Sequence, residues 1–189
     1  MPASAETNAE ILDEAEKLGD KARALADAGD LPGAISALER SLSMQEQRLI
    51  PELPEAARPM FRVELTESKL LLIDLYLKQG DFTRGAALLE AEIRFHESVS
   101  RGDRFADQVS GWKEALPKLR SNALLGRVKQ GIELHESDRD SEALLVLREV
   151  LPALDKETGI APAQLASANL IAARVLANVP LVRRHTRLH

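Results

Sequence analysis

The chain of 189 residues contains no cysteine, which excludes a disulfide framework, a thiolate metal site and a cysteine nucleophile. Aromatic residues amount to 3%, too few for the β-branched and aromatic surfaces on which sheets are built. Alanine and leucine dominate instead, the composition of helix packed on helix. No run approaches the roughly 18 apolar residues of a membrane span. Residues 1–10 lack the basic and apolar regions of a secretory signal, so a soluble, cytoplasmic protein is expected.

Motifs that carry chemistry are missing too. There is no Gly-rich phosphate loop, no Ser-centred nucleophile elbow and no His-Glu-x-x-His run. Enzymatic activity would have to come from carboxylates scattered over helices, so no catalytic residue and no cofactor is expected. His96 follows Glu92 by four residues, and His135 is flanked by Glu133 and Glu136. Carboxylate-bridged metal bundles need Glu and His three apart on two helices. Neither histidine fits that step, so no metal is expected and both are read as core-edge or surface residues.

What the chain does contain is enough apolar material to fold: 44% of its residues are hydrophobic. The net charge of −5 is unevenly placed. Residues 1–60 hold twelve acidic and six basic side chains, so the first third carries −6 and the remainder +1. The run Glu10, Asp13, Glu14, Glu16 and Asp20 reads first as the solvated face of a helix and second as a surface that steers a basic partner.

Helical periodicity runs through most of the sequence. Ile11, Ala15, Leu18, Ala22 and Leu25 advance by fours and threes, one stripe of a first helix. Ala28-Gly29-Asp30 stops it, because glycine can turn left-handed beyond a helix end and aspartate can cap the next helix. Ala34, Ile35, Leu38, Leu42 and Leu49 mark a second helix. Pro51, Pro54 and Pro59 impose a loop, with a third helix starting between Pro54 and Pro59. That helix runs through Phe61, Leu65, Leu72, Leu75 and Tyr76 to Gly80-Asp81, where the same stop and cap recurs. Phe82, Ala86, Leu89 and Ile93 make a fourth.

Phe105, Val109, Trp112, Leu116, Leu119 and Ala123 continue the rhythm with Pro117 inside it, which predicts a kink or break there. Leu124, Val128, Ile132 and Leu134 carry a helix to about Glu136, and Ser137 to Asp140 form a turn. Ala143, Leu144, Leu147 and Leu151 follow, and Pro162 opens a last helix through Leu165, Ala168, Ala172 and Leu176. About seven helices result, in one domain over 1–180 made of hairpins at about 8–49, 56–98 and 105–154 and a last helix at 161–179. Residues 181–189 form a basic, flexible tail. Tyr76 and Trp112 are expected in hairpin or core packing.

The three turns align. Ala22, Leu25, turn, Ala34, Leu38 matches Ile73, Tyr76, turn, Gly85, Leu89 and Gly131, Leu134, turn, Ala143, Leu147, with the same offsets of three, nine and four. Small residues at Ala22, Ala34, Gly85, Gly131 and Ala143 let antiparallel helices approach closely around each turn. On these residues the sequence resembles the tetratricopeptide repeat family, most of all at Ala28 to Ile35 and Gln79 to Ala86. The family repeats about every 34 residues, whereas these turns lie 51 and 58 apart. The units here are longer.

The resemblance implies an all-α stack of antiparallel hairpins that serves as a scaffold or adaptor for another protein. It implies a partner-binding groove lined by the first helix of each unit. Carried across, that lining is Glu16, Gly19, Arg23 and Ala26, then Glu67, Leu70, Asp74 and Leu77, then Leu125, Val128, Ile132 and His135. Leu70, Leu77, Val128 and Ile132 would anchor a basic or amphipathic segment, with Glu67 and Asp74 meeting its positive charge. Two alternatives stay open. The last helix could cover the groove, or the tail bearing Arg183, Arg184 and Arg187 could contact nucleic acid or an acidic partner. Self-association through one end of the stack is a further role.

Overall fold

The computed structural model describes residues 7–99, 103–154, 156 and 160–178. These form eight α-helices, and there is no strand among the described residues. They are α1 (Asn8–Asp27), α2 (Leu31–Met44), α3 (Arg58–Glu64), α4 (Thr66–Gln79), α5 (Phe82–Ser98), α6 (Val109–Glu136), α7 (Asp140–Leu154) and α8 (Pro162–Asn178). Packing groups the chain into two compact units that divide between Leu116 and Pro117. The basic tail, 181–189, lies outside the described residues.

Three departures from the expected helices have local causes. The third helix opens at Leu65, whose amide is shared between the carbonyls of Phe61 and Arg62 at 3.3 and 3.2 Å, so seven helices become eight. The second helix does not end cleanly. Beyond Met44 the chain makes a π turn over Gln45–Leu49 and a 3-10 turn over Ile50–Glu52 before the prolines take effect. The helix then restarts at Arg58, inside the window predicted from Pro54 and Pro59. The third concerns Pro117, where a kink or break is expected: the helix is not broken there. Helix α6 runs through this proline, which withholds one amide from the ladder, and the Ser121 hydroxyl donates to the Pro117 carbonyl at 2.9 Å.

The three aligned turns share one backbone geometry. Gly29, Gly80 and Asp138 are all left-handed, with φ of 82°, 85° and 58°. Each turn closes with the same two hydrogen bonds: Gly29 to Ala26 and Asp30 to Leu25, Gly80 to Leu77 and Asp81 to Tyr76, Asp138 to His135 and Arg139 to Leu134. This is the paired closure of a Schellman motif. In the first two turns the following aspartate caps the next helix, Asp30 accepting from the Gly33 amide and Asp81 from the Arg84 amide, both at 3.0 Å.

Each turn folds two helices back on each other. Arg40 reaches Glu14 at 3.2 Å, the Ser41 hydroxyl donates to the Ala15 carbonyl at 2.7 Å, and Ala22 and Ala34 are both fully buried in one cluster. Position rises on α1 as it falls on α2, so the pair is antiparallel. Thr66 with His96, Lys69 with Glu92 and Leu77 with Gly85 repeat the pattern for α4 and α5. Arg127 with Glu149, Gly131 with Leu147 and His135 with Asp140 repeat it for α6 and α7.

The small residues sit where the sequence predicts close approach. A Cβ on Gly85 would stand 2.9 Å from Cδ2 of Leu77, and one on Gly131 would stand 2.8 Å from both Cγ and Cδ2 of Leu147.

Within the first unit, α2 also packs on α4. Leu38 and Leu42 join Leu72, Leu75 and Tyr76 in one core. At its edge the Tyr76 hydroxyl donates to Glu39 at 2.5 Å, and Arg84 lies over the Tyr76 ring while reaching Glu39 at 2.9 Å. In the second unit Leu147, Val150 and Leu154 of α7 share a core with Val128 of α6 and Ala168, Ala172 and Val175 of α8.

Candidate functional site

The residues predicted to line a groove are distributed unevenly. Arg23 is exposed on α1 and paired with Asp20 at 3.0 Å. Glu67 is exposed and 3.1 Å from Arg104, while Asp74 is exposed and 2.7 Å from Lys78. Leu70 is half-buried. Leu77 is half-buried as well, and its side chain closes over Gly85 toward α5.

In the second unit Val128 is only 3% exposed and packs, with Ile132 and Leu125 at its flank, in the core that α8 completes. These three residues share a shallow hollow of about 400 Å³ with Ala163, Gln164, Ser167 and Ala168 of α8. His135 is half-buried and stands 2.7 Å from Asp140, bridging the third turn.

A second hollow, of about 360 Å³, lies in the first unit. Helix α1 supplies Leu12, Glu16, Gly19 and Arg23, whose steps of four, three and four make one face beside its buried stripe. Ser41 and Gln45 close one side; Phe61, Glu64, Leu65 and Ser68 form the other. The lining is mixed: Leu12, Ala15, Phe61 and Leu65 stand among the charged Glu16, Asp20, Arg23 and Glu64 and the polar Ser41, Gln45 and Ser68. Of the groove residues expected from the sequence, Glu16, Gly19 and Arg23 line this cleft; Ala26, Glu67, Leu70, Asp74 and Leu77 do not.

The sequence reading missed a buried polar cluster between α4 and α5. Glu92 is 2% exposed, and it accepts from Lys69 at 2.8 Å and from the Thr66 hydroxyl at 3.3 Å. Lys69 also reaches Glu46 at 2.9 Å. Burial works against its ammonium, yet the hydrogen bonds it donates to Glu92 and Glu46 outweigh it and hold the Lys69 pKa above the usual lysine value.

His96 Nε2 is 2.9 Å from the Thr66 hydroxyl, and its ring meets Phe95, Phe105 and Trp112 edge-on. Its Nδ1 stands 2.8 Å from Asp103 Oδ2, close enough for attraction but out of line, so neither atom makes a hydrogen bond. The His96 side chain has no exposed surface, and the cluster pins the chain before α6 onto α5.

The signal that would have found it is legible in hindsight: Gly85, Leu89, Glu92 and His96 lie on one apolar stripe of α5, where polar residues must find partners.

A third hollow, of about 470 Å³, lies beside Arg58, Arg62, Phe95 and Ser98. Its character is mixed. Glu55 faces it, and the Arg58 guanidinium is occupied by the carbonyls of Leu53 and Pro51 at 3.0 and 2.8 Å. Among the described residues no three His, Asp or Glu side chains converge to hold a metal ion, and no helix is long and apolar enough to cross a membrane. Compared with known proteins, the chain matches no family model, no curated protein and no solved structure.

Proposed function

We propose that the chain is a cytoplasmic scaffold of stacked, tetratricopeptide-like helical hairpins that holds a peptide or helix of a partner protein, with no catalytic activity of its own. The first-unit cleft carries this reading. It sets Ala15, Phe61, Leu65 and a 37% exposed Leu12 beside Glu16, Asp20 and Glu64, which suits a segment bearing both apolar and basic side chains. The likeness of the three turns supports the repeat: the same left-handed residue and the same closing bonds recur although the spacing between turns differs.

The second unit has a different part. There the apolar residues of α6 expected in the groove are engaged by α8, which leaves the cleft on α1 as the proposed binding surface.

Selection of a random peptide display library against the full chain tests the reading. Enriched peptides should bind Leu12→Glu and Glu16→Lys more weakly than the wild type, and Leu170→Glu, altered at a 64% exposed site on α8, equally well. Undiminished binding to Leu12→Glu would remove the cleft from consideration.

A further inference from the structure

Gly19 stands in the interior of α1, where glycine costs about 0.5 to 1 kcal/mol relative to alanine. Helix glycines are kept where a neighbour needs the room, and Gly85 and Gly131 have such neighbours in Leu77 and Leu147. Gly19 has none. A Cβ built there meets no atom within 4 Å, and its φ is not left-handed. Gly111 and Gly126 also face open space, but Gly19 is on the wall of the cleft. The missing side chain therefore leaves room that no part of the described chain uses.

Of the four charged residues that line the cleft, Glu16, Asp20 and Glu64 are acidic and Arg23 is basic. Glu16 has no ion-pair partner among the described residues. Asp20 is cancelled by Arg23 at 3.0 Å. Glu64 and Glu67 share a single cation, Arg104, at 3.3 and 3.1 Å. With Glu67 and Arg104, which stand outside the lining, counted in, the balance is two negative charges. From Leu12 to Arg23 the wall spans about 16 Å at the helical rise, three turns of a partner helix. Helix axes come as near as about 8 Å only where small residues meet.

We propose that the cleft receives an α-helix of a partner protein, lysine- or arginine-bearing along its edges, which crosses α1 at Gly19 with a small residue at the crossing point. The proposal rests on the scaffold reading and names its occupant.

Two synthetic probes of about 15 residues, labelled with fluorescein and followed by anisotropy against the full chain, test it. One is an amphipathic helix of leucine and lysine with alanine at the centre of its apolar face; the other replaces lysine by glutamate. The lysine probe binds saturably and the glutamate probe does not. Gly19→Leu fills open room, so its thermal midpoint stays at or above that of the wild type while its affinity for the lysine probe falls about tenfold or more. Glu16→Lys weakens the probe similarly. Gly126→Leu, at an exposed position of α6, leaves binding unchanged.

Equal affinity of the lysine probe for wild type and Gly19→Leu, equal affinity for the two probes, or no saturable binding of the lysine probe overturns the proposal. The scaffold reading is judged separately: it stands after any of these results if library-selected peptides still depend on Leu12, and falls if they do not.

Discussion

Asp138 occupies in the third turn the place that Gly80 occupies in the second. Both are left-handed, at φ 58° and 85°, and each donates its amide to the carbonyl three residues back, His135 and Leu77. A side chain in that conformation brings Cβ against the following carbonyl, at a cost of about 1 to 2 kcal/mol that aspartate bears better than most residues. The two turns are alike in geometry and differ in strain.

Asp138→Gly is therefore expected to raise unfolding free energy by about 0.5 kcal/mol. Gly29→Ala and Gly80→Ala, where a Cβ has open space and only φ is at issue, each lower it by about 1 kcal/mol. Urea titrations followed by far-UV circular dichroism measure all three.

Gly131 of α6 packs directly against Leu147 of α7. A Cβ at Gly131 would meet both Cγ and Cδ2 of Leu147, a fully buried side chain that cannot swing aside. Gly131→Ala is expected to cost about 1 to 3 kcal/mol by overpacking. Gly85→Ala costs less, because only the terminal Cδ2 of half-buried Leu77 stands within 3 Å. Combining Gly131→Ala with Leu147→Ala in a double-mutant cycle yields a loss smaller than the sum of the single losses.

Tyr76 is the single tyrosine of the chain, so its ionisation can be followed alone by absorbance near 295 nm. Burial, then the Glu39 carboxylate at 2.5 Å, push its pKa from 10.0 up to about 12. The folded state thus holds a proton that the unfolded chain releases near pH 10. The resulting stabilisation is complete below pH 10 and is lost as pH rises through about 12. Lys69, also raised, acts in the same direction. Tyr76→Phe abolishes the absorbance change and flattens the alkaline loss of stability. A midpoint near 10 in the folded wild type would contradict the contact with Glu39.

Lys69 and Glu92 form a buried ion pair, with side chains 11% and 2% exposed. Removing one partner strands the other charge. Lys69→Met is expected to destabilise by about 3 kcal/mol, and Lys69→Met with Glu92→Met by less than the two single changes together. Emission from Trp112, the lone tryptophan, reports on this unfolding because its ring lies against His96.

Much of the fold was legible because its punctuation is local. Gly29-Asp30 and Gly80-Asp81 mark helix ends by backbone freedom and capping alone, and Ala22, Ala34 and Gly131 announce close packing by their size. The opening at Leu65 was not legible, since the apolar rhythm from Phe61 to Leu72 continues through it. Nor was the continuity of α6 at Pro117, which a proline argues against.

The candidate site was legible in part. Arg23, Gly19 and Glu16 fall on the face of α1 that the sequence picks out, but their opposite wall, Phe61 to Ser68, depends on how α3 and α4 are joined. The cluster at Glu92 and His96 stayed hidden because its partners Thr66, Lys69 and Asp103 come from other segments.

The cleft on α1 is tested most directly by a heteronuclear spectrum of the 15N-labelled full chain, titrated with the leucine–lysine helix. Glycine amides form a distinct group in such a spectrum, and there are ten in the chain. Saturable shifts of the Gly19 amide, together with Glu16 and Ser68 across the cleft, are the predicted result. Shifts confined to α6, α7 and α8, with Gly19 unmoved at saturation, would contradict it.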